Sequence, residues 1–385
     1  MMKICVATGT RAEYGLLKPL IDQINIEPDW QLQLLVTGTH LSPEFGLTYQ
    51  QIEKDGLKID AKVEMLLSSD TAEGIVKSMG LGMIGYADAF KNLQPDLLIL
   101  LGDRYEMLAV ASSALIFKIP IAHLHGGEIT EGAYDDAIRH AITKMSHLHF
   151  TSTEAYSDRV IQLGEKPGHV FNVGAIGLDN IANLKLLTKE ELEIDLKIEF
   201  LKYNYQVTFH PATLDHVAAA EQFQELLNAI DQQQESFFIF TKANADTDGR
   251  LINQMIDQYV AQQPGKAVAF ASLGTLKFLS VLKICDAIVG NSSSGIIEAP
   301  SVGIPTINIG DRQKGRIQAE TVINCEAISS QITQAFERSK NEEFKKTVSL
   351  VVNLYGNGFV SQQIVKAIKT VNLKDLVIKT FNNLA

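Results

Sequence analysis

The chain has 385 residues, of which 46% are hydrophobic and 21% charged, a composition typical of a folded globular protein rather than a disordered one. Its net charge of −11 argues against a nucleic-acid partner, because binding a phosphate backbone requires an excess of Lys and Arg. The length favours two domains of similar size, and no apolar stretch is long enough to predict a membrane span.

The first six residues lead directly into a predicted strand and lack the charged segment, apolar core and cleavage site of a secretory signal. We therefore expect a cytoplasmic protein without a membrane partner. The cysteines are Cys5, Cys285 and Cys325. Their scattered positions in or near apolar runs predict reduced thiols.

In the first half of the chain, short apolar runs alternate with longer segments of helical periodicity. Continuous hydrophobicity is typical of parallel strands that are buried on both faces, so the alternation predicts a doubly wound, Rossmann-like α/β domain at 1–180. The predicted strands are 3–7, 32–36, 96–101, 120–124, 147–151 and 170–173.

A charged helical segment at 189–202 follows, and the alternation then restarts. It predicts a second Rossmann-like domain at 181–360, with helices near 330–338 and 360–371. We expect the C-terminal segment, 361–385, to pack back on the first domain. The predicted strands are 206–209, 237–241, 267–271, 287–289 and 306–309. Two such domains predict a ligand in a shared cleft at the carboxyl ends of both sheets.

The turn after the first strand, residues 8–15, carries Arg11, whose guanidinium could clamp a phosphate. The turn is not a G-x-G-x-x-G motif, so a nicotinamide cofactor is not expected. The alternative is a surface ion pair between Arg11 and Glu13.

Ionisable side chains follow two of the predicted strands: Asp103 and Arg104 come after 96–101, and His125 and Glu128 come after 120–124. Asp135 lies just before a predicted helix. Carboxylates and an imidazole crowded into a cleft are suited to proton transfer, because burial raises a carboxyl pKa toward neutrality. The alternative for Asp135 or its neighbour Asp136 is a helix N-cap.

The pair His123-x-His125 also fits a metal site, because alternation along a strand sends both side chains to one face. Further ligands at matching strand ends are not evident, so we expect no metal. His140, His147 and His149 lie beyond the cleft pattern and are expected on a helix surface or in packing.

The segment 287–298 is the most informative for binding. A buried strand opens into Asn291, Ser292 and Ser293, and we expect an apolar helix to follow with Glu298 in its first turns. Backbone N–H groups and hydroxyls at a helix start bind anionic oxygens without a metal. The alternatives are serines that only cap the helix, and a nucleophile elbow, which is weak because Asn291 replaces the first Gly of G-x-S-x-G.

Other residues of the second half fit the same cleft. His210 ends a strand and suits a phosphate or sugar contact, or alternatively a cap or packing. Arg312 belongs to a basic cluster at 312–316 that suits an anion, or is a solvated loop. Phe278 offers a face for a uracil ring, although an aromatic on an apolar helix is more often in a core. Polar residues after a further strand are Lys242, Asn244 and Asp246.

Taken together, these motifs resemble the hydrolysing UDP-N-acetylglucosamine 2-epimerases, most closely the bacterial enzymes of the sialic-acid pathway. The resemblance covers almost the whole chain. The motifs that carry it are 8–15, 102–106, 125–128, 135–140, 290–298 and 310–316.

The resemblance implies the two-domain GT-B fold with the ligand in the interdomain cleft, and no metal or nicotinamide. It implies conversion of UDP-N-acetylglucosamine and water to N-acetylmannosamine and UDP, by elimination to a 2-acetamidoglucal and hydration, in sialic acid and capsule polysaccharide biosynthesis. It also suggests a homodimer or homotetramer.

The resemblance implies catalytic roles for Asp103, Glu128 and Asp135, with Arg104 beside them. Many relatives place Glu where this chain has His125, so His125 and Glu128 both stay candidates for the base at C2. The residues implied around the nucleotide are Arg11, His210, Ser292, Ser293 and Arg312 at the diphosphate, Glu298 at the ribose and Phe278 near uracil.

Three alternative functions stay open. One is the closely related UDP-N,N′-diacetylbacillosamine 2-epimerase of legionaminic acid biosynthesis. A GT-B glycosyltransferase would bind the same donor but would not need paired groups at C2. A non-catalytic nucleotide-sugar sensor would not need the acidic residues.

Overall fold

The structure, a computed structural model, describes residues 1–67, 69, 71–131, 133–211, 217–243 and 249–383. Asn244 and Asp246 lie outside these residues. The chain forms two compact units. Unit 1 consists of Met1–Glu128, Asp135–Asp179 and Tyr355–Ala385, and unit 2 of Ile129–Tyr134 and Asn180–Leu354. Compared with the expected ranges, residues 129–134 group with unit 2, and the segment that returns to unit 1 begins at 355.

Unit 1 contains a parallel sheet with the strand order β3-β2-β1-β4-β5-β6-β7. The strands are β1 (Met2–Thr8), β2 (Trp30–Thr37), β3 (Ala61–Val63), β4 (Leu97–Leu101), β5 (Ile121–Leu124), β6 (Leu148–Thr151) and β7 (Val170–Asn172). The strand order reverses between β1 and β4. Ligands bind at such a switch point in open α/β sheets, because the loops after the two strands diverge there.

Helices follow most strands of unit 1. They are α1 (Arg11–Ile26), α2 (Tyr49–Lys54), α3 (Ala72–Leu93), α4 (Tyr105–Ile116), α5 (Asp135–Met145) and α6 (Glu154–Gln162), and α7 (Leu178–Asn183) lies at the unit boundary. Alternate strand residues pack on opposite faces, Ile4 and Val6 in one apolar cluster and Cys5 and Ala7 in another. Burial on both faces explains the continuous hydrophobicity of these strands.

Unit 2 repeats the architecture with a parallel sheet of order β10-β9-β8-β11-β12-β13. Its strands are β8 (Tyr203–Thr208), β9 (Ser236–Thr241), β10 (Ala267–Phe270), β11 (Ala287–Gly290), β12 (Thr306–Ile309) and β13 (Val322–Cys325). The switch point lies between β8 and β11. It is therefore formed by the loops that carry His210 and Ser292.

The helices of unit 2 are α8 (Lys189–Leu196), α9 (Ala219–Asp231), α10 (Gly249–Gln262), α11 (Gly274–Ile284), α12 (Ser293–Ile297), α13 (Ala299–Val302), α14 (Ser329–Lys340) and α15 (Glu342–Leu350). The C-terminal helix α16 (Val360–Thr370) belongs to unit 1. Its residues Ile364 and Ile368 are buried in the same apolar cluster as Leu17 and Ile21 of α1.

Two strands were missed, and the end of one helix was predicted wrongly. The sequence did not indicate β3 and β13, because both are short edge strands with polar residues such as Lys62 and Asn324. The charged helix ends at Leu196 rather than at 202, since Lys197 adopts a left-handed conformation. The three cysteines are free. Within the described part of the chain, no helix has the length and apolar character needed to cross a membrane.

Candidate functional site

Asp103 lies two residues after the end of β4, where the chain leaves the sheet of unit 1 at its switch point. Its carboxylate accepts a hydrogen bond from Nη2 of Arg139 on α5. Arg139 is 1% exposed, and its Nη1 lies 3.9 Å from Oδ1 of Asp136. A buried guanidinium favours the charged form of a neighbouring carboxyl group. Arg139 therefore orients the Asp103 carboxylate. Arg139 was not identified as a site residue from the sequence.

Glu128 is brought back toward His125 by a sharp turn through Gly126 and Gly127. Gly127 has φ of +79°, and a Cβ built on it would overlap the carbonyl oxygen of Tyr156. A side chain is excluded there both by conformation and by space. His125 also has a positive φ, +65°. Gly127 is thus needed for the turn that places Glu128.

The Glu128 carboxylate is 1% exposed and is held by two side chains. Its Oε1 lies 2.8 Å from Nδ1 of His125 and accepts a hydrogen bond of 2.7 Å from Ser152 Oγ. The backbone N–H of Ile176 donates to Nε2 of His125 over 3.1 Å. Because Nε2 accepts, the proton of a neutral His125 lies on Nδ1 and is donated to Glu128. Both ring nitrogens are used within unit 1.

His123 joins the ends of β4 and β5 rather than forming a metal site. Its Nε2 donates to the carbonyl oxygen of Gly102 over 2.7 Å, and its Nδ1 lies 3.1 Å from Thr143 Oγ1. Burial lowers the pKa of His123 to about 3, so the ring is neutral. Among the described residues, no group of three or more His, Cys, Asp or Glu is placed to hold a metal ion.

Asp135 is the first residue of α5 and is half-buried. The N-cap alternative is wrong for both acidic residues, since Asp135 and Asp136 lie inside the first helical turn. His140 is half-buried on the same helix, 3.5 Å from Asp136. His147 and His149, which were expected on a helix surface or in packing, are both buried.

Arg11 begins α1 and is half-buried. The alternative of a surface pair with Glu13 is wrong. Glu13 is 6% exposed, and its Oε2 accepts from the N–H of Gly9 over 2.5 Å. In the described part of the chain Arg11 makes no ion pair. Arg104, directly before α4, pairs with Glu106 over 3.1 Å. Arg11 is therefore a cation that is not committed to a carboxylate.

The buried Glu13 carboxyl makes stability depend on pH. Burial raises its pKa to about 7 although the Gly9 N–H lowers it. Because the pKa is higher in the folded state, the protonated carboxyl contributes folding stability that is fully present below the unfolded-state pKa. That stability is lost as the pH rises through the folded-state pKa. Glu13→Gln does not titrate and so avoids this loss. We therefore expect the free energy of unfolding of the variant, measured relative to that of the wild type, to be about 2 kcal/mol higher at pH 7.5 than at pH 4.5. Urea unfolding at both pH values checks this, with Glu154→Gln on the exposed start of α6 as control. Parallel pH profiles for wild type and Glu13→Gln would contradict it.

In unit 2, Asn291 links three loops at the carboxyl edge of the sheet. Its side chain accepts from the N–H of His210 over 2.7 Å and donates to the His210 carbonyl over 2.8 Å. Its own carbonyl oxygen accepts from Arg312 Nη1 over 3.0 Å and from Gln313 Nε2 over 2.8 Å. The loops after β8, β11 and β12 therefore form one hydrogen-bonded group. This linking role of Asn291 was not predictable from its position after a buried strand.

The structure places Ser292 as the N-cap of α12, with its Oγ accepting from the N–H of Ser294 over 3.3 Å. Ser292 therefore caps the helix, Ser293 is the first helical residue, and a phosphate contact of either serine stays a prediction. The helix is shorter than expected. Glu298 lies between α12 and α13 rather than in a first turn, and is 7% exposed. Phe278 on α11 is partly buried against two apolar clusters of unit 2. Its contact with a uracil ring stays a prediction.

The candidate residues thus form one group in each unit. Unit 1 holds Arg11, Asp103, Arg104, His125, Glu128 and Asp135, and unit 2 holds His210, Phe278, Ser292, Ser293, Glu298 and Arg312. The residues that sequence reasoning missed are Arg139, Ser152, Asn291 and Gln313. Arg139 lies four residues after Asp135 on one helix, and Asn291 and Gln313 lie within the motifs 290–298 and 310–316, whereas Ser152 left no sequence signal.

Comparison with known proteins gives consistent results. The family model described as UDP-N-acetylglucosamine 2-epimerase matches residues 22–369. The chain is 46% identical over 383 residues to the GDP/UDP-N,N′-diacetylbacillosamine 2-epimerase (hydrolyzing) of Campylobacter jejuni, covering 99% of both chains. It is 39% identical to the polysialic acid biosynthesis protein P7 of Escherichia coli, covering 98% of this chain and 95% of P7.

Among solved structures, the chain resembles UDP-GlcNAc 2-epimerase from Neisseria meningitidis bound to UDP-GlcNAc, with a TM-score of 0.79 and 18% identity. The match covers 96% of this chain and all of that one, 100%. At this identity the likeness shows the fold. It confirms the predicted GT-B class of two doubly wound, Rossmann-like domains.

Proposed function

The chain belongs to the UDP-N-acetylglucosamine 2-epimerase family, and from that premise we propose that it is a hydrolysing 2-epimerase, which releases UDP from a UDP-linked 2-acetamido sugar and inverts C2. The observation that carries the proposal is the buried Glu128 carboxylate, oriented by His125 and Ser152. A fixed carboxylate of this kind is suited to remove a carbon-bound proton.

In the first step, Glu128 takes the proton from C2 of the sugar. The electron pair of the C2–H bond forms the C1=C2 double bond, and the C1–O bond breaks with its electrons leaving on UDP. The products are UDP and a 2-acetamidoglucal. His125 supports this step as a positioning residue, because its Nδ1 proton is donated to Glu128 and its Nε2 accepts from Ile176.

In the second step, water adds to C1 and a proton is delivered to C2 on the opposite face. Asp103, kept ionised by Arg139, is suited to accept the proton of the attacking water. Asp135 then serves as the donor to C2. Arg104 directly follows Asp103 in the sequence and is held by Glu106. Its guanidinium adds positive charge there.

Departure of UDP requires stabilisation of the diphosphate charge. We assign this to the loops joined by Asn291, with Arg312, His210, Ser292 and Ser293 as the groups that face the phosphates, together with Arg11 of unit 1. Glu298 would accept hydrogen bonds from the ribose hydroxyls, and Phe278 would contact uracil. No metal or nicotinamide enters these steps.

Two substrates are candidates. The Campylobacter jejuni relative, at 46% identity, favours UDP-N,N′-diacetylbacillosamine, and the name of that relative also includes the GDP-linked sugar. UDP-N-acetylglucosamine, which the sequence analysis favoured, is supported by the family description and would fit a sialic acid pathway. We rank the diacetylbacillosamine substrate first, because the Campylobacter jejuni relative is 46% identical to this chain, compared with 39% for the Escherichia coli polysialic acid biosynthesis protein P7.

The test is product analysis by NMR in deuterated water with each of these nucleotide sugars. We expect UDP release, a free 2-epimerised sugar and one deuterium at C2. A glycosyltransferase would leave C2 unlabelled, and a sensor would release no UDP. Faster turnover of UDP-N-acetylglucosamine than of the diacetylated sugar would reverse the order of substrates.

Arg312→Met tests the assignment of the diphosphate loop. It keeps an unbranched, flexible side chain and removes the guanidinium charge, so we expect the Kd for UDP to rise about 10–100-fold with little change in the Kd for uridine. Isothermal titration calorimetry with both ligands checks this. Lys266→Met, before β10 at the amino end of the sheet, is the matched control. Equal weakening of UDP and uridine would mean that the loop, not the diphosphate contact, was lost.

A further inference from the structure

The chain leaves unit 1 and returns to it within a few residues. Glu128 ends one part of unit 1 and Asp135 begins the next, whereas Ile129–Tyr134 between them belongs to unit 2. We call residues 129–134 the strap; the structure describes 129–131 and 133–134 of it. Two of the three proposed proton-transfer residues, Glu128 and Asp135, are therefore bonded directly to the ends of the strap.

Within unit 2, the strap packs on Lys314 and Gly315. The N–H of Glu131 donates to the carbonyl oxygen of Lys314 over 3.3 Å. Gly315 has φ of +83°. A Cβ built on it would overlap Cγ2 of Ile129 and lie 3.2 Å from Ile129 Cβ and 3.0 Å from Glu131 Oε1. The side chain of Ile129 thus rests on the backbone of Gly315, and only glycine leaves room for it.

The loop that receives the strap is itself fixed. Gln313, two residues before Gly315, is 1% exposed and donates to the carbonyl oxygen of Asn291 over 2.8 Å. Arg312 donates to the same oxygen. Gly315 is therefore a stable support, because the loop is hydrogen-bonded to the end of β11.

From this packing we propose that Ile129 and Gly315 are positioning residues: seating of the Ile129 side chain on Gly315 fixes the backbone that carries Glu128 and Asp135. The inference rests on the proposed function. His125 and Ser152 orient the Glu128 carboxylate, and the strap holds the following residue. Misplacement of a catalytic group by about 1 Å can lower a rate up to about 100-fold.

Gly315→Ala is the direct test, and Gly265→Ala is its matched control. Gly265 has nearly the same φ, +84°, with nothing within 4 Å of an added Cβ, so it carries the backbone strain without the overlap. We expect Gly315→Ala to lower kcat about 10–100-fold while the Kd for UDP changes less than about 3-fold. Gly265→Ala keeps wild-type kcat. Adding Ile129→Ala to Gly315→Ala removes the overlapping methyl and is expected to restore at least about 5-fold of the loss.

Hydrogen exchange supplies a readout that needs no substrate. We expect faster amide exchange at residues 125–131 and 133–136 in Gly315→Ala than in Gly265→Ala, and partial reversal in the double variant. Ile129→Ala alone, which introduces no overlap, tests the same contact if Gly315→Ala does not fold, with faster exchange again expected.

The outcomes separate the two proposals. If the wild-type protein turns over none of the nucleotide sugars, the proposed function fails, while the exchange data still test the seating of the strap. Equal kcat and equal exchange in Gly315→Ala and Gly265→Ala would overturn the inference. So would a kcat loss that Ile129→Ala does not relieve.

Discussion

Glu128→Gln is expected to lower kcat by about 10³-fold or more and to abolish deuterium incorporation at C2, because the amide is nearly isosteric with the carboxylate but does not accept the proton. The amide oxygen can still accept from His125 and Ser152, which donate to Glu128 Oε1 in the wild type. The KM is expected to change little. Steady-state kinetics and NMR of the solvent label measure these effects.

Two further variants sharpen this test. Glu154→Gln removes an exposed carboxylate of the same unit that accepts from Asn172 over 3.2 Å, and is expected to keep wild-type kcat. His125→Asn tolerates the positive φ and is expected to lower kcat only about 10–100-fold, because His125 orients Glu128 rather than taking the proton. If His125→Asn were more damaging than Glu128→Gln, the imidazole would be the base.

Asp103→Asn is expected to lower kcat about 10²–10⁴-fold and to release 2-acetamidoglucal. The first step needs Glu128 and a leaving UDP, whereas hydration needs a base for the water. Blocking only hydration leaves the glycal as a product, which NMR identifies. The variant is also expected to lose about 2–4 kcal/mol of stability, because the buried Arg139 loses the nearer of its two carboxylate partners.

Asp96→Asn is the matched control for Asp103→Asn. Asp96 lies directly before β4 and Asp103 follows the same strand, so the pair compares opposite ends of one strand. Asp96 accepts from the N–H of Lys3 over 2.7 Å, a bond that Asn preserves. Wild-type turnover is expected. Absence of the glycal from Asp103→Asn, with kcat near wild type, would remove Asp103 from the second step.

The fold class was predictable because parallel strands buried on both faces must be apolar along their length. Residues 96–101 and 306–309 show this directly, and both were identified as strands. The edge strands β3 and β13 were missed, since Lys62 and Asn324 interrupt the apolar pattern. Candidate residues were found where polar side chains follow a buried strand, because those ends meet at one edge of a parallel sheet.

Pairings between residues distant in sequence were decided only by the tertiary structure. The Asp103–Arg139 and Asn291–His210 pairs join residues 36 and 81 positions apart, and strand order, which local pattern does not encode, brings them together. The tautomer of His125 depends on an N–H from Ile176, 51 residues away.

The sequence by itself therefore determined the two Rossmann-like sheets, the residue types at their carboxyl edges and the family, because burial and strand ends leave a local signature in the chain. The tertiary structure decided which carboxylate is oriented by which donor, and that residues 129–134 fold with unit 2. Hydrogen bonds and close packing depend on atoms that meet only when distant segments fold together.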